Sequence, residues 1–467
     1  LCDRHNYFMN VVELVCSFAS LDFSIIGMGH TDALLGCQLL TRSNRPFRSI
    51  TMLRRNLSRL ESAGFSMPNI FERIGVRTII NAKGPSTRVS GAAMPLEAAA
   101  AMAEASGYFV DMAQLQGRAS EIIAQYTGAQ AGYVTSGAAA GLLLGTAACV
   151  TGTDPGKMNR LPNTDGMKNQ VVVPCSHRNR YDHAVRAVGV KLIEVGIADR
   201  FSGAGSRDAE AWEIADAINE RTAAVLYVAH PNALPLLPEV TAVAHEKGVP
   251  VIVDAAAQLP PASNLKRFIG EGADLVAYSG GKSIMGPQCS GILCGRRDLI
   301  AAAALNNLDM DVELDMWTAP ESLVPRDGLA GLPHHGIGRS CKVGKEEIVG
   351  LLEALRLFAS KDEAAQQAEL MGVAQGLHDR LLGIAHTSVE ISAGTYRPGI
   401  PGVRLTLDEN ALGMRAADVA KRLEDGNPGI HTDHARLREG VITMGTMCLK
   451  AGDPEAIAAR LREILGQ

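Results

Sequence analysis

From residue 67 onward, short β-branched runs alternate with alanine-rich amphipathic stretches, and this alternation limits the fold more than any other feature. Val171–Val173, Ala223–Val228, Val249–Asp254, Asp274–Tyr278 and Gly291–Cys294 read as strands, apolar almost throughout, with Gly, Pro or Ser close by. Between them lie helical stretches such as 208–221 and 238–248, the latter opened by Pro238 and closed by Gly248. Strands apolar on both faces leave neither face for water. The fold class is therefore α/β, with a large, mostly parallel sheet covered by helices on both sides. In such sheets ligands sit beyond the carboxyl ends of the strands, so the residues just after each strand are where chemistry is sought.

The chain has 467 residues, more than one core usually fills. We expect a large domain over 67–340 and, over 341–467, a long helix followed by a small C-terminal α/β domain. The helix runs through "KEEIVGLLEALRLFASKDEAAQQAELMGVAQGLHDRLLG", with Gly350 and Gly372 as its expected bends. After it, "VEISAG", "VRLTLDE", "AADVAKRLEDG" and "GVITMGTMCL" read as strand, strand, helix and strand, before a closing helix at 454–465. Residues 1–66 look foreign to the rest, with no lysine, three of the nine cysteines and an all-arginine basic run from Arg42 to Arg59. A transit segment, a small extra domain and translated upstream sequence attached by a mis-set start all fit, and the last is the reading we adopt.

Composition excludes several classes. A net charge of −5 argues against broad coating by nucleic acid. Nine cysteines without a C-x-x-C pair supply neither a zinc framework nor a disulfide scaffold, and a reducing cytoplasm fits best. No apolar run is long enough to span a membrane. The acidic "DMDVELDM" at 309–316 alternates like a solvated face. "HTDH" at 431–434 looks like a metal tripod but falls in a turn, where a loop or substrate contact is the better reading, so no metal is expected.

"AYSGGKSIMGPQCSG" (277–291) sets Lys282 between glycine and serine. A phosphate loop of the form G-x-x-x-x-G-K-[ST] needs glycine at 276, and Val276 stands there. The nucleotide reading fails. Three other strand ends supply different chemistry. In "YVTSGAAAG", Ser136, Gly137 and Ala138 can offer a hydroxyl and bare N–H groups to a phosphate at a helix N-terminus. His177 lies a few residues past a strand in "VVVPCSHRNRYDHAV". Asp254 closes a buried run in "VPVIVDAAAQLPP", where an unpaired carboxylate is costly and wants a cation. Each piece alone has an ordinary reading: a packing helix, a loop histidine, a helix cap, an exposed lysine. Together they describe a pyridoxal phosphate site, with a phosphate turn, a flat ring to stack, a carboxylate for the pyridinium nitrogen and a lysine for the aldehyde.

The chain resembles the fold-type I pyridoxal phosphate enzymes, in the branch of L-seryl-tRNA selenium transferase and D-glucosaminate-6-phosphate ammonia-lyase. The phrases that carry the resemblance are "TIINAKGPSTRVSG", "MAQLQGRAS", "YVTSGAAAGL", "SHRNRYDHAVRAVGVKLIEVG", "VIVDAAAQLPP", "DLVAYSGGKSIMGPQCSGIL" and "GIGRSCKVGKEEIVGLLEAL". It implies that Lys282 bonds the cofactor covalently, Asp254 pairs with the ring nitrogen, and His177 stacks on the ring. It implies too that Ser136, Gly137, Ala138, Gln258 and Ser279 complete the cofactor site. Such enzymes place their sites at a dimer interface, so a homodimer or larger homo-oligomer is expected, with Gln116 and Arg118 reaching toward a neighbouring subunit's cofactor.

The resemblance favours a lyase that removes an α-proton, expels a β-substituent and yields a 2-keto acid and ammonia from a small anionic amino acid or amino-sugar acid. Selenium transfer to seryl-tRNA, aldol cleavage and racemisation are the alternatives. "INAKGPSTRVSG" departs from the transferase pattern, carrying Pro85, Thr87 and Arg88 where a His-Thr-Asn-Leu-Gly stretch is usual, which favours a small molecule over tRNA. Arg88, Arg339 and Arg404 are the expected substrate-binding cations, Arg339 foremost because its Gly-rich loop permits close approach.

Overall fold

The computed structural model describes residues 69–197, 209–393 and 400–467. The atypical segment 1–66 lies outside the described residues. The chain divides into two compact units, 1–78 and 79–467. The described part of the first holds a one-turn helix, Ile70–Arg73, whose Asn69 side chain accepts the Phe71 and Glu72 N–H groups.

The second unit opens with β1 (Ile79–Asn81). Its large sheet contains β2 (Ala131–Thr135), β3 (Gln170–Pro174), β4 (Lys191–Val195), β5 (Thr222–Val228), β6 (Val251–Asp254), β7 (Leu275–Ser279) and β8 (Gly291–Gly295). The order is β2-β8-β7-β6-β5-β3-β4. β8 runs antiparallel to both β2 and β7, while the other pairings are parallel. β2, β3, β6 and β8 are buried along their whole length, as continuous apolar runs require. One core packs the helices Ala138–Thr151 and Arg297–Asn307 on one face, and a second packs Met112–Thr127 and Leu237–Glu246 on the other. Val171, Val172 and Val173 are fully enclosed, each side chain contributing roughly 1.5–3 kcal/mol.

The smaller sheet contains β9 (Thr387–Ser392), β10 (Gly402–Leu407) and, beyond β11 (Gly429–His431), β12 (Val441–Gly445), in the antiparallel order β12-β10-β9. Its core takes in Ile80 and Ala82. β1 pairs in parallel with β11, and the Gly445 N–H donates to Ala82 O at 2.7 Å. A segment that precedes the large sheet in sequence thus belongs to the small sheet's packing.

The expected long helix is two, Lys345–Ser360 and Glu363–Leu381. It breaks at Lys361, whose backbone is extended (ψ 139°), and Asp362 caps the next helix through the Ala365 N–H. Gly350 does not mark a bend; a Cβ there would stand 2.6 Å from Met102 Cγ, so the residue serves a close helix contact. The helix expected over 208–221 is confined to Ala211–Ala217, because Ile218 turns extended (ψ 127°). Among the described residues no helix is long and apolar enough to cross a membrane.

Candidate active site

Asp254 ends β6 in the middle of the large sheet and is buried. One carboxylate oxygen accepts the Ala256 N–H at 3.1 Å. Burial pushes this carboxyl above its ordinary range, while the Ala256 N–H, the charge of Lys282 and the Asn179 side chain pull it back. Lys282 is therefore within electrostatic reach of Asp254. His177 stands in a short 3-10 turn, Cys175–His177, directly after β3. The Val228 N–H donates to its Nδ1 at 3.2 Å, which leaves Nε2 as the protonated nitrogen of a neutral ring. Tyr227 meets that ring edge-on, with centroids 4.7 Å apart and planes at 86°. Val228 is the register partner of Asp254, so the imidazole is anchored one strand from the carboxylate.

Asn179 was not foreseen. Its Oδ1 accepts the Tyr181 N–H at 2.7 Å, and its side chain also reaches Asp254. The surrounding loop is fixed by Asp182. Burial alone would raise that carboxyl, but hydrogen bonds from Arg178 and Arg186 hold it below the usual range.

The turn after β7 explains the glycines beside Lys282. A Cβ on Gly280 would lie 2.2 Å from Ser290 Oγ, and one on Gly281 would lie 2.8 Å from Gln288 Cα. No side chain fits at either position. Ser283 donates to Leu259 O, tying this turn to the loop after β6. Gln258, in that loop, is buried, and its carbonyl accepts Asn264 Nδ2 at 2.7 Å.

The residues of the expected phosphate turn lie at the ends of β2 and β7, beside the start of β8. Gly137 caps the helix Ala138–Thr151 at φ 117°, a conformation that favours glycine, and no heavy atom lies within 4 Å of where its Cβ would stand. Gly291 passes so close that its own Cβ would sit 2.5 Å from the Gly137 carbonyl carbon. Ser279 is the register partner of Gly291, so Ser136, Gly137, Ala138 and Ser279 converge. Ser136 Oγ donates to Cys341 O at 3.0 Å.

The three expected arginines are not brought together. Arg88 pairs with Glu424 at 3.0 Å, beside His431 and His434, whose ring nitrogens lie 3.3 and 2.9 Å from the other Glu424 oxygen. Among the described residues no group of three or more His, Cys, Asp or Glu side chains is arranged to hold a metal. Arg339 holds Asp309 through Nε and Nη2, at 3.1 and 2.7 Å, in a cleft of about 400 Å³ with Tyr133, Cys289, Asn307 and Lys342. Arg404 pairs with Glu390 at 3.1 Å and lines a cavity of about 310 Å³ on the small sheet. Gln116 does not reach outward. It is buried and bonds Val134 through both ends of its amide, at 2.9 and 3.0 Å, so it pins β2 instead. Arg118 is exposed and pairs with Glu121.

This donor set fits pyridoxal phosphate. A carboxyl raised by burial favours ionisation only when a cation faces it, and a protonated ring nitrogen is such a cation. An open helix N-terminus suits a phosphate. A family model described as L-seryl-tRNA selenium transferase (SelA) matches residues 111–319. The D-glucosaminate-6-phosphate ammonia lyase of Salmonella typhimurium (strain 14028s / SGSC 2262) is 31% identical over 405 residues, covering 85% of this chain and 98% of that protein. A 5'-C-glycyluridine monooxygenase-decarboxylase from Streptomyces sp is 32% identical over 411 residues, covering 85% and 92%. A solved structure of a D-glucosaminate-6-phosphate ammonia-lyase superposes with a TM-score of 0.68 at 30% identity, covering 86% of this chain and 99% of that one. The chain belongs to the fold-type I pyridoxal phosphate enzymes, in the branch of L-seryl-tRNA selenium transferase and D-glucosaminate-6-phosphate ammonia-lyase, and pyridoxal phosphate is its cofactor.

Proposed function

We propose that this enzyme is a lyase that eliminates a β-substituent from a small anionic amino acid or amino-sugar acid, giving a 2-keto acid and ammonia. The observation that carries the reading is the near full-length similarity to the Salmonella ammonia lyase, which covers 98% of that protein. Pyridoxal phosphate, when bound, supplies an electron sink for the charge that develops at the substrate's α-carbon. Lys282 would hold the cofactor covalently, and its Nζ would take the substrate's α-proton. Asp254 holds a proton at the cofactor's ring nitrogen, with Asn179 steadying its carboxylate. His177, fixed by the Val228 N–H and the Tyr227 edge, provides the flat face against the ring. Ser136, Gly137, Ala138 and Ser279 hold the phosphate, and Gln258 closes the wall beside Asp254. Arg404 binds the substrate carboxylate, with Arg88 and Arg339 as further candidates for its anionic groups. Water then hydrolyses the released enamine to the keto acid and ammonia.

The test is a screen of the cofactor-loaded enzyme over hydroxy amino acids and amino-sugar acids. Equimolar ammonia and 2-keto acid support the reading. Keto acid without ammonia, or carbon dioxide release with oxygen uptake, overturns it. Selenium transfer is a second reading, favoured by the family model over 111–319. Saturable binding of seryl-tRNA, with no turnover of free amino acids, is the result that would put it first.

A further inference from the structure

Asn81 ends β1, and its side-chain amide is shared between two stretches of backbone. Its Oδ1 accepts the N–H groups of Lys83 and Gly84 at 3.1 and 3.0 Å, the turn that an asparagine side chain forms with the residues following it. Its Nδ2 donates to Gly91 O at 3.4 Å. One amide thus closes the loop 83–91 at both ends.

The first end of this loop belongs to the small sheet. Asn81 is the register partner of His431 in β11, and the Gly445 N–H of β12 donates to Ala82 O at 2.7 Å. Midway along, Arg88 pairs with Glu424 of the helix Ala416–Asp425, whose Ala416, Val419 and Leu423 belong to the small sheet's core. The far end belongs to the Lys282 turn. The Ala92 N–H donates to Gly281 O at 3.1 Å, one residue before Lys282. Gly91 lies so close to that turn that a Cβ on it would stand 2.0 Å from Gln288 Oε1 and 2.7 Å from Gly281 O. Lys282 therefore sits between two ties, the Ala92 N–H on Gly281 O before it and the Ser283 hydroxyl on Leu259 O after it.

The loop does not meet the turn in a relaxed conformation. Ser90 and Gly91 both have positive φ, 68° and 76°. Glycine adopts this freely, whereas a serine there must be held by its surroundings. The holding bonds are Ser90 N–H to Thr87 O at 3.2 Å, Gly91 N–H to Ser86 O at 2.9 Å, and the Asn81 amide on Gly91 O. Of these, only the Asn81 bond reaches outside the loop.

We propose that Asn81 is a positioning residue for Lys282: it ties the loop 83–91 to the small sheet at one end and to the Gly281 carbonyl at the other, and so fixes the backbone from which the lysine projects. The proposal rests on the reading that Lys282 carries the cofactor, and it adds a residue that acts on that lysine through another loop. A displacement of about 1 Å at a reacting group can cost on the order of 10²-fold in rate, so a remote hold of this kind bears on the reaction.

The experiment compares wild type, Asn81→Ala and Asn81→Ser, each as the cofactor-loaded full chain. Three properties are measured: the borohydride-sensitive visible band, the pH midpoint and circular dichroism of that band, and the melting temperature. Serine keeps a weaker acceptor for the N–H groups that follow, adds no charge, and has no amide for Gly91 O. Asp254 is within electrostatic reach of Lys282, so a lysine that moves feels a different field and titrates differently. We expect the band in all three proteins, with its midpoint moved by about half a pH unit or more and its dichroism altered in both variants. The serine variant should melt between alanine and wild type, yet show the same displaced midpoint as alanine. It also keeps the test decisive if Asn81→Ala does not fold. A lowered melting temperature with midpoint and dichroism at their wild-type values marks a merely structural residue and overturns the proposal, as does a serine variant that restores both. Either result leaves the reading of Lys282 standing. A wild type without a borohydride-sensitive band overturns that reading and the proposal with it.

Discussion

The large-sheet site and the small-sheet cavity are built in opposite ways. Asp254 and His177 are buried at strand ends and held by backbone N–H groups from Ala256 and Val228. Lys83, Arg404 and Arg436 keep partial access to water and are matched by more exposed carboxylates. A buried polar group must be satisfied by rigid neighbours, so its geometry is fixed before any ligand arrives. A cation with partial access to water can exchange one anion for another. On the proposed function the first region would make and break bonds and the second would bind the substrate, and substitutions in each should fail differently.

The largest effect is expected at Lys282. On the proposed function, in which Lys282 carries the cofactor and moves the α-proton, Lys282→Ala should lower ammonia release by about 10³-fold or more. A loss of only severalfold would move the chemistry elsewhere. Asp254→Asn should lower kcat by roughly 10²-fold or more, in line with the loss of an electrostatic partner at the reacting centre. Its stability should change in the other direction. Burial raises this carboxyl above 3.8, so the cofactor-free native protein keeps a proton that the unfolded chain has already released. Stability of the cofactor-free form therefore falls as pH climbs from the ordinary Asp value through the raised one. The asparagine variant lacks that loss, and without cofactor it should melt above wild type at neutral pH. A lower melting temperature would mean that the ionised carboxylate is already satisfied without the cofactor.

Smaller effects separate the two clefts. Arg404→Met should raise KM by about tenfold with kcat nearly unchanged, the pattern of a group that binds ground and transition states alike. Arg339→Met should change KM by less than about threefold, the small cost of losing an exposed pair. Arg339 bonds Asp309 through two nitrogens and lines the other cleft. Steady-state kinetics of the two variants side by side checks the ranking, and the reverse order would move substrate recognition to the Arg339 cleft.

The same contrast governs what could be read from the amino-acid sequence. The large-sheet strands and the carboxylate at 254 are legible because a charged residue closing an apolar run stands out locally. The Lys282 turn is legible too, since glycines at 280 and 281 are forced by contacts with Ser290 and Gln288. Asn179 escaped because it sits among arginines in a polar loop, where its reach to Asp254 leaves no trace in spacing. Lys83 and Arg436 leave no trace in the sequence, because a cation paired with a nearby acid looks like any other ion-pair member. The pairing of β1 with β11 joins two three-residue strands about 350 positions apart, too short for periodicity and too distant for local pattern. The break at Lys361 is written in polar residues that also suit a helix surface, so only the Asp362 cap distinguishes it.

The most direct test of the central claim is the visible absorbance spectrum of purified protein before and after borohydride, with Lys282→Ala measured alongside. Wild type should show a cofactor band that borohydride removes, and the variant should show no such band. A protein that stays colourless after incubation with pyridoxal phosphate, or a variant that keeps the borohydride-sensitive band, would contradict the role assigned to Lys282.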